Sequence, residues 1–317
     1  MSSNKLKVGF LSPISKEWYY LHRDKLEMFS KVNDADYLIY ESNGDPVNVI
    51  MKLKMTYPRE KLVFILSGDQ AGHIDDVSIW FTNAVQTRGL AKKQTQIYVT
   101  NPAIFKYWVM NRENIEKSVI GDTDGDIRKW DISFKGTIWQ GMRTDMYNYF
   151  NGKPGCLVEV NNGYWNWRCN SMIKPGQDDI EKTAFESYDL IRASKLCLCP
   201  KGNGNSSMRI LEALACGAIP VLINDFSAPF GVKWEEVGLV FDTTKHTWDD
   251  IYMGCIMLIG DKEKYDMMRR KGYDFFKNVI YSDGKIYNSK MYNDINTVCY
   301  GFSNKIVDKL IEYHKNK

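Results

Sequence analysis

No stretch of about 18 consecutive apolar residues occurs in the 317-residue chain, which excludes a membrane-spanning helix by hydropathy. The start, MSSNKLKVGFLSP, has no apolar core of the kind a signal peptide carries and runs almost at once into a strand-like segment. There is no Cys-x-x-Cys pair among the seven cysteines, and seven is an odd number. Most sit inside apolar runs, so the pattern argues for reduced, buried thiols and against a disulfide scaffold or a zinc ribbon. Internal repeats and low-complexity tracts are absent. Charge of one sign is scarce in excess: 42 Lys plus Arg oppose 39 Asp plus Glu, a net +3. That balance excludes a nucleic-acid-coating protein while leaving room for a local basic pocket. Together these features set the expectation of a cytoplasmic protein with no membrane span and no nucleic-acid partner.

What is present is an ordinary globular composition, 44% hydrophobic and 26% charged, in a chain long enough for two domains of roughly 150 residues. Aromatic residues make up 13%, which suits a rich core and equally a sugar-binding cleft. Short apolar runs alternate with helical patterns. Val8–Leu11, Tyr37–Tyr40, Leu62–Leu66 and Gln96–Thr100 read as strands; Trp18–Val32 and Val47–Met55 read as helices. The polar, turn-rich GDTDGD at 121–126 marks a domain boundary. A second series follows, with strands at Ile132–Phe134, Cys156–Val160, Lys195–Cys199, Ala218–Ile223 and Val237–Phe241. Helices are predicted at Arg143–Phe150, Ile180–Arg192, Ser207–Ala215, Trp248–Leu258, Lys262–Val279 and Asn304–His314. The expected division is 1–125, 126–300 and a C-terminal helix at 301–317 that returns to the first unit. Two successive βα series give an α/β class with two Rossmann-like domains.

The most informative stretch is LCLCPKGNGNSSMRILEALACGAIPV, Leu196 to Val221. A strand stops at Pro200, a Gly/Asn/Ser loop follows, and a helix ends at Gly217 before the next buried strand. The loop opens onto a helix N-terminus, whose free N–H groups and positive dipole end suit a phosphate. Lys201 adds charge, Gly202 and Gly204 permit close backbone approach, and Ser206 or Ser207 can cap the helix or donate to a phosphate oxygen. Arg209 and Glu212 share one helix face, the arginine suited to a diphosphate and the carboxylate to ribose hydroxyls. An exposed i,i+3 salt bridge is the competing interpretation. Gly202-x-Gly204 with Asp225 also imitates a dinucleotide fingerprint, but Met208 occupies its third glycine position, which weakens an NAD-binding assignment.

These residues resemble the exostosin-like glycosyltransferases, glycosyltransferase family 47. The pattern C-L-x-P-x-G, S-x-R, E-A-x-x-x-G-x-I-P-V is carried by Cys197, Leu198, Pro200, Gly202, Ser207, Arg209, Glu212, Ala213, Gly217, Ile219, Pro220 and Val221. Phe134-x-Gly136 followed by Arg143, and Pro229-Phe230 with Trp234, are similar to flanking family segments, and the likeness is good over roughly residues 132–280. Ala218, Ala228 and Leu196 depart from it without touching the charged positions. The resemblance implies a GT-B fold, two Rossmann-like domains facing a central cleft. It implies a UDP-sugar donor in the C-terminal domain, a glycan acceptor on the N-terminal one, no prosthetic group, and transfer with inversion at the sugar C1. Relatives are usually membrane-anchored, so the resemblance is to a soluble microbial or viral version. Arg209, Arg143, the Gly136 backbone and the loop around Gly202–Ser207 would stabilise the leaving diphosphate. For the base, Ser67-Gly68-Asp69-Gln70-Ala71-Gly72-His73 follows a strand end, with Asp69 the first candidate and His73 the second; a turn residue and a structural histidine are the alternatives. Asp75 and Asp76 read as first-turn helix charges. Asp122-x-Asp124 lies in a polar linker and reads as a turn, so no metal site is expected. Tyr164, Trp165 and Trp167 are candidates for stacking on a base or a sugar, or for packing. A non-catalytic nucleotide- or glycan-binding protein remains the rival from another class.

Overall fold

The structure, a computed structural model, describes residues 5–12, 22–29, 34–42, 47–66, 75, 77–82, 94–96, 99–100, 102–120, 128–138, 141–160, 180–201, 207–224, 232–280, 299–300 and 303–317. In chain order the strands are β1 Leu6–Phe10, β2 Leu26–Met28, β3 Tyr37–Ser42, β4 Leu62–Leu66, β5 Ile79–Thr82, β6 Gln94–Gln96, β7 Val99–Thr100, β8 Trp130–Gly136, β9 Cys156–Val160, β10 Ser194–Pro200, β11 Ile219–Ile223, β12 Leu239–Phe241 and β13 Cys299–Tyr300. The helices are α1 Val47–Thr56, α2 Pro102–Ile120, α3 Gly141–Phe150, α4 Ile180–Arg192, α5 Met208–Ala215, α6 Trp248–Gly260, α7 Lys262–Phe275 and α8 Ser303–Lys315.

Two parallel sheets form, as the alternating pattern predicts. The first has the order β2-β1-β3-β4-β5-β6 and the second β12-β11-β10-β8-β9; β7 and β13 make a separate antiparallel pair. β4 (LVFIL) and β11 (IPVLI) are buried at every position, as strands covered on both faces must be. On the first sheet, Val8, Ile39, Val63 and Ile65 pack against Ile306, Val307 and Leu310 of α8, while Leu38, Phe64 and Trp80 pack with Ile50 of α1 on the opposite face. On the second, α2, α4 and α5 build one core, and α3, α6 and α7 build the other.

Each sheet reverses its winding once. From β1 the chain goes to β2 on one side, then crosses to β3 on the other and continues outward. The second sheet repeats this plan: β8 is flanked by β9 and β10, and β11 and β12 follow outward from β10. In an open parallel sheet, ligands bind outside the carboxyl ends of the strands where the winding reverses. The two such points lie between β1 and β3 and between β8 and β10.

Some local expectations do not hold. The helical pattern over 18–32 contains a turn at 22–25 and then β2, a three-residue strand paired in parallel with β1, Leu6 opposite Leu26. So short a strand is defined by its partner rather than by its own periodicity. Asp75 starts no helix. Its Oδ1 accepts the N–H groups of Val77 (3.0 Å) and Ser78 (2.7 Å), turning the chain into β5, and its Oδ2 lies 2.6 Å from Lys54 Nζ. The run 96–100 is divided between β6 and β7, which belong to different sheets. Helix α2, with Pro at its first position, precedes the polar segment at 121–126, yet its Ile104, Phe105, Trp108, Ile115 and Val119 are buried with α4 and α5.

Candidate functional site

The site residues gather at the β8/β10 reversal. β10 ends at Pro200 and β8 at Gly136. Ser207 then forms the N-cap of α5 in extended backbone (φ −136°, ψ 123°), with its hydroxyl making no cap hydrogen bond. That leaves its Oγ available at the helix N-terminus. Helix α5 is buried almost all round: Ile210, Leu211, Ala213, Leu214 and Ala215 line the core, and Glu212, at 2% exposure, is buried with them. The sequence pattern anticipates only one buried face. Covering comes from α2 and α4, where the Tyr107 and Tyr188 rings meet edge to face at 5.3 Å between centroids.

Arg209 therefore cannot be half of a surface salt bridge. Its Nη1 lies 3.2 Å from Glu212 Oε2, with side-chain exposures of 15% and 3%. This contact is in ion-pair range but off hydrogen-bond geometry, since Nη1 has no hydrogen-bond partner among the described residues. Arg209 Nη2 donates to the Lys135 carbonyl at 2.8 Å. On the other side of Glu212, the Tyr188 hydroxyl donates to Oε1 at 3.4 Å. Burial pushes the Glu212 carboxyl above its usual range, opposed by the Arg209 charge and the Tyr188 hydrogen bond. Burial works against the charge of Arg209, but Glu212 and the neighbouring groups Cys197, Cys199 and Tyr188 raise its pKa on balance. Arg209 stays cationic.

Arg143, in the first turn of α3, reaches the same place. Nη1 donates to the Thr137 carbonyl (3.2 Å) and Nη2 to that of Pro200 (3.5 Å), while Nε is buried without a partner among the described residues. It thus ties the ends of β8 and β10 together and is not a helix-surface arginine. Burial and the adjacent Arg209 charge lower its pKa. Two guanidinium groups repel each other here, with Glu212 in ion-pair range of only one of them. An anion between them would relieve that repulsion and take the unused N–H donors.

Gly136 closes β8, where an added Cβ would come 2.9 Å from the Phe134 ring. Lys201 continues from β10 through its N–H to the Ile223 carbonyl, 3.2 Å. Met208, between Ser207 and Arg209, packs against the first sheet's core, as Phe10 does, so the start of α5 abuts the first unit. Gly202, Gly204, Ser206, Asp69 and His73 lie outside the described residues, as do Asp122, Asp124, Tyr164, Trp165 and Trp167. Among the described residues no group of three or more His, Cys, Asp or Glu could hold a metal ion, and no helix is long and apolar enough to cross a membrane. Sequence reasoning missed Tyr188 as a partner of Glu212, although it lies in a segment similar to the family pattern.

Residues 125–247 match the Exostosin GT47 domain family. Exostosin-1 of Bos taurus is 28% identical over 124 residues, 37% of this chain and 17% of its own length. Exostosin-1 of Drosophila melanogaster is 30% identical over 123 residues, 36% of this chain and 16% of its own. The chain thus spans under a fifth of the length of these two relatives. Among solved structures, Anabaena Alr3699/HepE in complex with UDP is similar with a TM-score of 0.43 and 12% identity, over 86% of this chain and 94% of that one. The same protein in complex with UDP-glucose gives 0.42 and 13%, over 85% and 86%. The resemblance seen in Cys197–Val221 is borne out by the family match, and the chain forms two parallel sheets covered by helices, an α/β architecture as expected.

Proposed function

We propose that the segment matching the Exostosin GT47 domain, residues 125–247, is the donor-binding part of a glycosyltransferase that moves a hexosyl or pentosyl group from a UDP-sugar to a glycan hydroxyl. The observation that carries this reading is the Arg143–Arg209 pair at the β8/β10 reversal, with unused N–H donors and a buried carboxylate beside them. A diphosphate leaving group gains negative charge as the sugar C1–oxygen bond breaks. Fixed cations aimed at it stabilise that charge more in the transition state than in the ground state. Arg143, Arg209, the Ser207 hydroxyl and the backbone from Gly136 and Lys201 into the loop with Gly202 and Ser206 fill this role. The acceptor hydroxyl attacks C1 from the opposite face, inverting it, and gives its proton to a base on the first unit, for which Asp69 and then His73 are the candidates. With two arginines in place the reaction runs without a metal ion.

The test is a thermal-shift titration with UDP, GDP and NAD, followed by UDP-sugar turnover with and without a chelator. UDP is expected to raise the melting temperature of the wild type and to do so far less in Arg143→Met. An equal shift in that variant removes the site. Turnover abolished by the chelator contradicts the metal-free mechanism, and turnover undiminished in Asp69→Asn removes Asp69 as base.

A further inference from the structure

A helix on a protein surface ordinarily turns a charged face to water. Helix α7 does so: Lys262, Glu263, Lys264, Arg270, Lys271 and Asp274 are exposed along it. Helix α6, just before it in the chain, does not. From Ile251 to Gly260 it reads IYMGCIMLIG, without one charged residue. Its inner stripe serves the core, with Ile251, Cys255 and Leu258 buried against the second sheet. Its outer stripe is Met253, Ile256, Met257 and Gly260, spaced i, i+3, i+4 and i+7, so all four share one face. Met253 is 52% and Met257 69% exposed. Helix α6 is therefore apolar on both faces, a composition proper to a covered helix, yet nothing among the described residues covers its outer one.

The layout of this stripe fits a second copy of the chain. Met253 and Met257 stand two positions either side of Cys255. A two-fold axis passing there sets Met253 of one copy opposite Met257 of the other, in an antiparallel pair that makes the same contact twice. The ends match as well. The axis brings Asp249, exposed at the start of α6, toward Lys262, just beyond the end of α6, whose side chain is 78% exposed. Next to Lys262, Asp261 is already engaged as the N-cap of α7, its Oδ1 accepting the Lys264 N–H at 3.1 Å. Antiparallel helices also set the positive end of each dipole beside the negative end of the other. A lipid surface fits less well, because Asp249 and Asp250 flank the stripe and no Lys or Arg lies within it. One helix of 13 residues buries far less than the roughly 1,200 Å² of a stable complex, so the pair is weak and depends on concentration.

We propose that α6 is a self-association surface, on which two copies of this chain pair antiparallel through Met253, Ile256 and Met257. Such pairing does not depend on what the chain binds or transfers. The test is analytical sedimentation of the full chain from about 1 µM to about 1 mM, the range in which so small an interface dissociates. The mean mass should rise from monomer toward dimer across this range. Met253→Lys and Met257→Glu are each expected to weaken dimerisation at least tenfold, since each forces a charge into the apolar contact. Combined in one chain they should restore it, because the antiparallel axis sets each opposite the other. Met253→Glu with Met257→Glu should stay monomeric. Both positions are exposed, so melting temperatures should match the wild type, and Met257→Ala, a milder change, should give an intermediate affinity. A wild type that is monomeric throughout overturns the proposal, as do single variants that dimerise as the wild type does. A Met253→Lys, Met257→Glu chain as monomeric as the single variants overturns the antiparallel pairing. Flotation of the wild type on phosphatidylcholine–phosphatidylserine vesicles, lost in Met257→Glu, would show that a lipid surface covers this face and would overturn it too.

Discussion

Replacing Arg209 by Met separates what this residue does for stability from what it does for the ligand. The guanidinium lies 3.2 Å from the Glu212 carboxylate, whose side chain is 3% exposed. Without it, Glu212 keeps, among the described residues, only the Tyr188 hydroxyl at 3.4 Å. Breaking a buried pair from one side costs about 3–5 kcal/mol, because the remaining charge stays desolvated. At about 2–4 °C per kcal/mol for a unit of 150–250 residues, the melting temperature should fall by roughly 6–20 °C. The deficit should depend on pH. Burial already raises the Glu212 carboxyl above its unfolded value of 4.5, and Arg209 holds that rise down. A carboxyl raised in the folded state contributes stability that is present below the unfolded pKa and lost as pH rises through the folded one. Removing Arg209 enlarges the rise, so Arg209→Met should be most destabilised at neutral pH and approach the wild type near pH 4.5. The double variant Arg209→Met, Glu212→Leu should recover most of the stability and none of the UDP response. Scanning fluorimetry between pH 4.5 and 8, with and without UDP, measures all of this. A deficit independent of pH, or UDP binding intact in the double variant, would refute the reasoning.

Arg143 has no carboxylate within ion-pair range among the described residues and is opposed by Arg209, so Arg143→Met should change the melting temperature little or raise it while weakening UDP at least tenfold by titration. Tyr188→Phe should cost about 0.5–1.5 kcal/mol in denaturant melts and weaken donor affinity severalfold, since one Glu212 oxygen loses its hydrogen bond. Gly217 has φ +67°, and a Cβ there would sit 2.6 Å from Val119 Cγ2, so Gly217→Ala should cost roughly 2–4 kcal/mol in the same melts. His22 is pushed down from 6.5 to about 4, chiefly by burial, so stability present above pH 6.5 should be lost as pH falls toward 4, by on the order of 3 kcal/mol, with a shallower slope in His22→Gln.

How much of this was legible in the sequence depends on the range of the interaction. β9 and α4 have the bounds that periodicity predicts, Cys156–Val160 and Ile180–Arg192, because each is set by local apolar spacing and a turn. The loop-to-helix unit of β10 and α5 was equally plain from Pro200, the glycines and Gly217. Helix α2 was not named, although Pro102 and the spacing Ile104, Trp108, Ile115, Val119 carried the signal. β5, at four residues, gave too little pattern to count. The burial of Glu212 was not legible, because an i,i+3 Arg–Glu pair has the same spacing on a surface. Its cover comes from Tyr107 and Tyr188, far away in sequence. Likewise the Arg143 contact to Pro200 exists only because β8 and β10 are neighbours across a crossover.

That a buried carboxylate stands beside two arginines at the β8/β10 reversal is hard to explain by stability. A buried ion pair replaced by well-packed apolar residues of similar volume is often neutral or stabilising by about 1–4 kcal/mol. Helix α5 is a favourable place for such a replacement, since Ile210, Leu211, Ala213, Leu214 and Ala215 are already fully packed around position 212. A leucine there, with an uncharged residue at 209, would complete an apolar helix and remove both the desolvation cost and the repulsion between Arg209 and Arg143. Charges kept where the fold itself would do better without them are explained by a ligand that only they can hold. The cationic β8/β10 reversal suits a diphosphate, the leaving group of the proposed sugar transfer.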